Sequence, residues 1–279
     1  MKPAPFDFAR AASLDEAVAM LAGADGDARP LAGGQSLGPM LNLRITRPSL
    51  LVDISRIEAL KAVVEDVHGI TIGAFTTHAA IEDGEVADVT NGLMRHVASG
   101  IAYRAVRNRG TIGGSLAHAD PAADWPPVMI ALDATLRVRG PSGSREIPAA
   151  EFITNIMTTA LQPGEILETI HVPRLSGDAS WGHYKVCVKP GDFADSLGVV
   201  VRDGACRAVL AGPSRAPAPL VGVAAVIQGA DRWTDAVGER IKEAATADIA
   251  ATAFCDPDDR YAVHLHRTVI TRAAREALS

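Results

Sequence analysis

Two paired glycines, Gly33-Gly34 and Gly113-Gly114, stand in matching surroundings: LAGGQSL at 31–37 and TIGGSLAHADPAAD at 111–124. In each, an apolar residue comes just before the pair and one or two polar side chains follow it. A glycine pair admits left-handed backbone and lets N–H groups approach a ligand with no Cβ in the way. Successive N–H groups in such a turn make a concave anion site, and Ser or Thr hydroxyls add donors without charge. Two such segments suit a diphosphate, which has oxygens on both sides. If both serve one ligand, the fold must bring stretches that are distant in sequence face to face. The plainer alternative, two tight turns at strand ends, stays open on the residues alone.

The side chains after the second pair narrow the ligand. A carboxylate at Asp120 or Asp124 would repel phosphate but would accept hydrogen bonds from hydroxyls, so a polyol joined to the diphosphate fits both parts. Each aspartate lies near a proline and could equally cap a turn, the better reading for Asp120. Lys185, in HYKVCVKPGDFAD, falls on a predicted strand, where a lysine is ordinarily an edge or solvent-facing charge. His264 and His266 are two apart and would point in different directions from a helix, a poor metal pair. His118 is of interest only for its neighbours. No HExxH or Ser/His/Asp pattern supports hydrolysis.

Along the chain, SLDEAVAMLAG reads as a helix capped by Ser13 and Glu16. ARPLAGG and SLLVDIS read as strands, with QSLGPMLNLR as the connection between them. AVVEDV and GITIGAF are further strands, HAAIEDG a helical turn, and 88–100 a helix. In PPVMIALDATLRVRG the period changes from helical to alternating, with Leu136 and Val138 on one face and Arg137 and Arg139 on the other. A strand over 165–172 stops at Pro173, and PRLSGDAS is the best boundary. Beyond it, VVVRDGACRAVL predicts a hairpin turning at Asp203-Gly204. Helices close the chain at PLVGVAAVIQG, over 233–247, and from Pro257 on, where Tyr261, Leu265, Val269, Ala273 and Leu278 recur at helical spacing. Strands and helices interleave without a strand-helix-strand rhythm, which argues α+β. No GxGxxG or GxxxxGK[ST] occurs.

With 279 residues, 48% of them apolar and 22% charged, the chain has the balance of an ordinary globular protein of about two domains. A net charge of −6 argues against nucleic acid as a partner. No apolar run is long enough to span a membrane and no leader is evident, so a cytoplasmic protein is expected. Cys187, Cys206 and Cys255 are too scattered to hold zinc or an iron–sulfur cluster, and read as small apolar residues.

At the glycine loops the sequence resembles the FAD-binding medium subunit of the molybdenum hydroxylases, the group of aerobic carbon monoxide dehydrogenase and the xanthine dehydrogenase relatives. The likeness covers essentially the whole chain and is carried by AGGQSLGPMLNLRITRPSLLVDISRI, ITIGAFTTHAAIE, AVRNRGTIGGSLAHADPAADWPPVMIALDA, LQPGEILETIHVP, YKVCVKPGDFAD and PDDRYAVHLHRTVITRAAREAL. It implies an α+β FAD-binding domain over 1–175, of the PCMH or vanillyl-alcohol oxidase-like type, with subdomains of about 1–56 and 57–175. A smaller sheet-plus-helices domain of the carbon monoxide dehydrogenase flavoprotein type would follow over 176–279. Carried over by motif, Ala32, Gly33, Gly34, Gln35 and Ser36 would line the diphosphate from one side and Thr111, Gly113, Gly114 and Ser115 from the other. Ile101, Asp124, Leu161 and Lys185 fall on further FAD-contact positions, Asp124 as the polyol acceptor. Gln35 departs from the histidine common among relatives, and Phe193 from the tyrosine that often covers the flavin ring.

The resemblance further implies that FAD on this chain takes electrons from a small 2Fe-2S subunit, that a large molybdopterin-binding subunit hydroxylates the substrate, and that the assembly is a dimer of heterotrimers. Two other readings stand beside it. One is a self-contained flavin oxidoreductase like the reductase that makes UDP-N-acetylmuramic acid, which would need its own acid or base near the ring. The other is a non-catalytic assembly module.

Overall fold

A computed structural model describes residues 2–279. Strands β1 (Asp7–Arg10), β2 (Ala28–Leu31) and β3 (Leu50–Asp53) form a parallel sheet in the order β1-β3-β2. Helix α1 (Leu14–Ala22) joins β1 to β2 and starts as its sequence directs: Ser13 Oγ accepts from the N–H of Glu16, and the Glu16 carboxylate accepts from the N–H of Ala12. The segment after β2, read from sequence as a plain connection, contains a short helix, α2 (Leu37–Asn42). Pro39 does not prevent it, because it lies in the first turn, where a missing N–H needs no partner.

The second sheet is antiparallel in the order β4-β5-β10-β6-β7. Its first strands are β4 (Val63–Glu65) and β5 (Gly69–Gly73). Between these and β6 (Thr135–Gly140) the chain makes an excursion of short helices: α3 (His78–Asp83), α4 (Leu93–Ser99), α5 (Arg104–Arg107), α6 (Ile112–His118) and α7 (Trp125–Ala131). Next come β7 (Gly143–Pro148), α8 (Ala149–Phe152), a small hairpin of β8 (Ile153–Asn155) and β9 (Thr158–Thr159), and β10 (Ile166–Pro173). Helix α4 starts later than the sequence pattern suggests. Asn91 and Gly92 take left-handed backbone (φ 52° and 91°), and the Asp88 carboxylate holds the N–H groups of Thr90 and Gly92 in a turn instead. In β6 the alternation is as read: Leu136 and Val138 are buried, while Arg137 and Arg139 face outward to Glu168 and Asp15.

The third sheet runs in sequence order: β11 (Ser180–Val186), β12 (Ser196–Asp203), β13 (Ala205–Gly212) and β14 (Arg215–Pro219). Helices α9 (Val221–Gln228), α10 (Asp235–Ala251) and α11 (Arg260–Ala277) complete the chain. The β12–β13 turn differs from the two-residue reading, because Asp203 pairs with Ala205 and the register centres on Gly204 alone. Both primed two-residue turns need positive φ at the first central position, which would be Asp203, and of the two residues only Gly204 has it, at 64°.

The polar tract from Pro173 to Ser180 is a seam in the chain but not in the core. Leu197, Val199, Val201, Val209 and Ala211 of the third sheet pack into the same cluster as Trp125 and Met129 of α7. The opposite face, through Val200, Ala208 and Leu210, is covered by the terminal helices. Helix α11 lies so close that a carbon added to Gly182 would stand 1.8 Å from the Ala273 carbonyl oxygen. Gly182→Ala should therefore lower unfolding free energy by about 2 kcal/mol or more, the cost of forcing volume into a packed interface. The check is the urea midpoint of the full chain, with Gly177→Ala, which meets nothing within 4 Å, as the control.

Candidate functional site

The two glycine pairs meet. Gly33 lies against the backbone before the second pair, where an added carbon would stand 1.9 Å from the Arg109 carbonyl oxygen and 3.0 Å from the Gly110 Cα. Gly34 is left-handed, at φ 71°. The chain there leaves β2 and enters α2, and this path turns the N–H groups of Ala32, Gly33, Gly34, Gln35 and Ser36 away from any ladder. Among the described residues none of them has a hydrogen-bond partner within the chain. A run of free backbone N–H groups at a turn is an anion-binding concavity.

The second pair is built differently from the first. Gly113 and Gly114 are inside the first turn of α6, capped by Thr111, whose Oγ1 accepts from the Gly114 N–H at 3.0 Å. The N–H of Gly113 goes to the Ala74 carbonyl and that of Ser115 to the Thr111 carbonyl. The reading of two matched N–H cradles is corrected accordingly: a helix start satisfies these donors inside the protein. What this segment offers a ligand is room and hydroxyls. Gly113 is small because Ala74 Cβ would lie 2.4 Å from an added carbon, and a carbon on Gly114 would stand 2.7 Å from Thr111 Oγ1 and 3.9 Å from the Ala32 Cβ.

Both segments line one cleft of about 510 Å³, within the usual size of a small-molecule site. Ala32, Gly33, Gly34, Gln35, Ser36, Ile101, Thr111, Gly113, Gly114, Ser115, Asp124 and Leu161 all face it. Lys185 does not. It reaches the cleft through Asp124, donating to both carboxylate oxygens at 2.9 and 3.0 Å. The two side chains are only 12% and 8% exposed, so this is a buried ion pair that joins β11 to the start of α7. Burial pushes the Asp124 carboxyl above its ordinary value, against the pull of the lysine. Gln35 turns back on its own loop, its amide donating to the Gly33 carbonyl at 3.0 Å.

Asp120 caps a turn, accepting from the Ala122 N–H at 2.9 Å, while also lining the cleft. His266 is buried on Ser196 and Phe254, whereas His264 is exposed beside Arg267, so the two do not converge. Sequence reasoning passed over His78, Glu165, Ile166, Leu167, Gly191 and Asp192, which also line the cleft. They come from three separate segments, and nothing in their local patterns marks them. Burial and the nearby Arg107 guanidinium hold the His78 imidazole down at about 4. The ring is therefore neutral at pH 7, and its Nδ1 accepts from the Trp125 indole at 3.1 Å. Phe193, 59% exposed, stands at the rim of the cleft.

The donor set suits a diphosphate, offering several N–H groups and hydroxyls with apolar walls beyond them. Residues 4–175 match the family model described as the FAD binding domain in molybdopterin dehydrogenase. The glyceraldehyde dehydrogenase medium chain of Sulfolobus acidocaldarius is 42% identical over 194 residues, which are 70% of this chain and 68% of that one. The 6-hydroxypseudooxynicotine dehydrogenase complex subunit alpha of Paenarthrobacter nicotinovorans is 40% identical, over 70% of this chain and 66% of that one. The solved carbon monoxide dehydrogenase from Hydrogenophaga pseudoflava matches with a TM-score of 0.91 and 32% identity, covering 99% of this chain and 98% of that one. The chain belongs to the family of FAD-binding medium subunits of the molybdenum hydroxylases. It is an oxidoreductase component with the expected α+β FAD-binding fold and a C-terminal domain.

Two consequences can be measured. Gly114→Val would fill the gap between the segments and displace the Thr111 cap, and FAD affinity should fall at least tenfold, a loss of about 1.4 kcal/mol read by flavin fluorescence titration. Lys185→Met would leave Asp124 buried without its counter-charge, costing about 3 kcal/mol or more of stability. Adding Asp124→Asn to Lys185→Met should recover part of that loss in the same denaturation experiment.

Proposed function

We propose that this chain is the electron-exit subunit of a multi-subunit molybdenum hydroxylase. It would receive electrons from a small 2Fe-2S subunit and deliver them to an external acceptor, while a large molybdopterin-binding subunit hydroxylates the substrate. The complex would be a dimer of heterotrimers in the cytoplasm, a reducing compartment that suits three free cysteines. The observation that carries this reading is the run of five free N–H groups from Ala32 to Ser36, set against the open start of α6.

Residues 1–175 would form the FAD-binding domain, in parts 1–56 and 57–175, and 176–279 the C-terminal domain. Ala32 to Ser36 would bind the diphosphate through their N–H groups, with Ser36, Thr111 and Ser115 adding hydroxyls, Gly114 leaving space for its approach and Gly113 lining the cleft beside it. Asp124 would accept from the sugar-alcohol hydroxyls, held in place by Lys185. Ile101 and Leu161 would supply apolar wall. Bound FAD supplies a ring that accepts a pair of electrons and can release them singly or together.

The test is copurification from the native host through a tag on this chain. FAD, molybdenum and iron should appear in constant ratio across the chromatographic peak, with reduction of the flavin by substrate only in the intact complex. Substrate turnover by this chain alone, or a purified chain that stays colourless after incubation with FAD, would refute the assignment.

A further inference from the structure

Beneath one wall of the cleft lies a group that does not touch the cavity itself. Arg107, at the end of α5, has a side chain only 12% exposed and uses four of its donors within the protein. Nε and Nη2 hold the two carboxylate oxygens of Glu82 at 2.7 and 2.9 Å, a fork that fixes the plane of the guanidinium. Nη1 then donates to two successive carbonyls, of Ile101 at 3.0 Å and of Ala102 at 2.9 Å. Ala102 is left-handed at φ 43°, a conformation that a residue with a Cβ keeps only when its surroundings impose it.

The constraint reaches the C-terminal part of the chain. The Ala102 N–H donates to the Gly191 carbonyl at 3.0 Å, and Gly191, at φ 88°, sits so close that an added carbon would lie 2.7 Å from the Ala102 oxygen. Ile101, Ala102, Gly191, Asp192 and Phe193 all line the cleft. One guanidinium thus stands behind two loops that are some ninety residues apart in sequence, and they have no strand pairing in common.

We infer that Arg107, oriented by Glu82, is a positioning residue for the cofactor. It locks the 101–102 bend, and through Ala102 and Gly191 it sets the loop that carries Asp192 and Phe193 over the same cleft. This rests on FAD occupying the cleft, as proposed above. Lysine cannot take over the role, since an ammonium is a point charge without the planar fork that holds a carboxylate and two carbonyls at once.

The experiment uses the full chain, with FAD titration, visible circular dichroism of the bound flavin and melting of the apoprotein. Arg107→Lys should weaken FAD binding at least tenfold and alter the flavin dichroism, with the apoprotein still melting cooperatively. Glu82→Gln, which keeps the side-chain shape but loses the charge of the fork, should shift both readouts in the same direction by less. A purely structural role would instead lower the melting temperature and leave the affinity and dichroism of the folded protein at wild-type values, which overturns the inference. If Arg107→Lys does not fold, Glu82→Gln decides the matter by the same criteria. Failure of the wild-type chain to take up FAD would overturn the underlying reading, whereas normal uptake with unaltered variants overturns this inference alone.

Discussion

Everything at the cleft depends on the contact between Gly33 and the backbone of Arg109 and Gly110. Two main chains approach there more closely than any side chain allows, since even one extra carbon would stand 1.9 Å from a carbonyl oxygen. That contact sets the first glycine segment, at the end of β2, beside the second, which the helical excursion between β5 and β6 carries back from the other sheet. Without it the five free N–H groups would face open solvent, where water satisfies them and no ligand is favoured.

The two sides of the cleft then divide the chemistry. The Ala32–Ser36 side offers backbone donors at a turn, and the α6 side has its donors tied up but exposes bare Cα atoms and hydroxyls. The cations at this cleft are paired: buried Lys185 is neutralised by Asp124, and exposed Arg29, which lines the cleft from β2, is paired with Asp27. At the Ala32–Ser36 turn an anion meets dipoles and hydroxyls, which discriminate by geometry more than a free lysine would. The C-terminal sheet is part of this arrangement. It supplies Lys185, the 191–193 loop and five side chains of the main core, so the cleft is a product of both portions of the chain.

Much of the site was legible in the sequence because its key residues are local. LAGGQSL and TIGGSLAHADPAAD each carry their own conformational instructions, and a family resemblance carried by motifs along the chain sufficed to name the cofactor. The similarity of the two pairs was misleading on one point. Glycines can be required for left-handed backbone, as at Gly34, or for close packing, against the Arg109 backbone at Gly33 and inside a helix start at Gly113, and the letters are identical in every case. Local spacing also misplaced the start of α4 and the centre of the β12–β13 turn, where one or two backbone dihedrals decide the outcome.

The sequence by itself determined the α+β class, the periodicities of β6 and α11, the cap of α1 and the two glycine segments, since each is set by residues within one or two turns of one another. Only the tertiary structure decided that Gly33 touches Arg109, that Lys185 turns to Asp124, and that Arg107 reaches the carbonyls of Ile101 and Ala102. The Gly33 and Lys185 contacts join segments far apart along the chain, and all three depend on side-chain or backbone approaches that carry no periodic signal. The Lys185 and Arg107 contacts exist because burial leaves a polar group no water to bind, so each must find its partner wherever the fold happens to bring one.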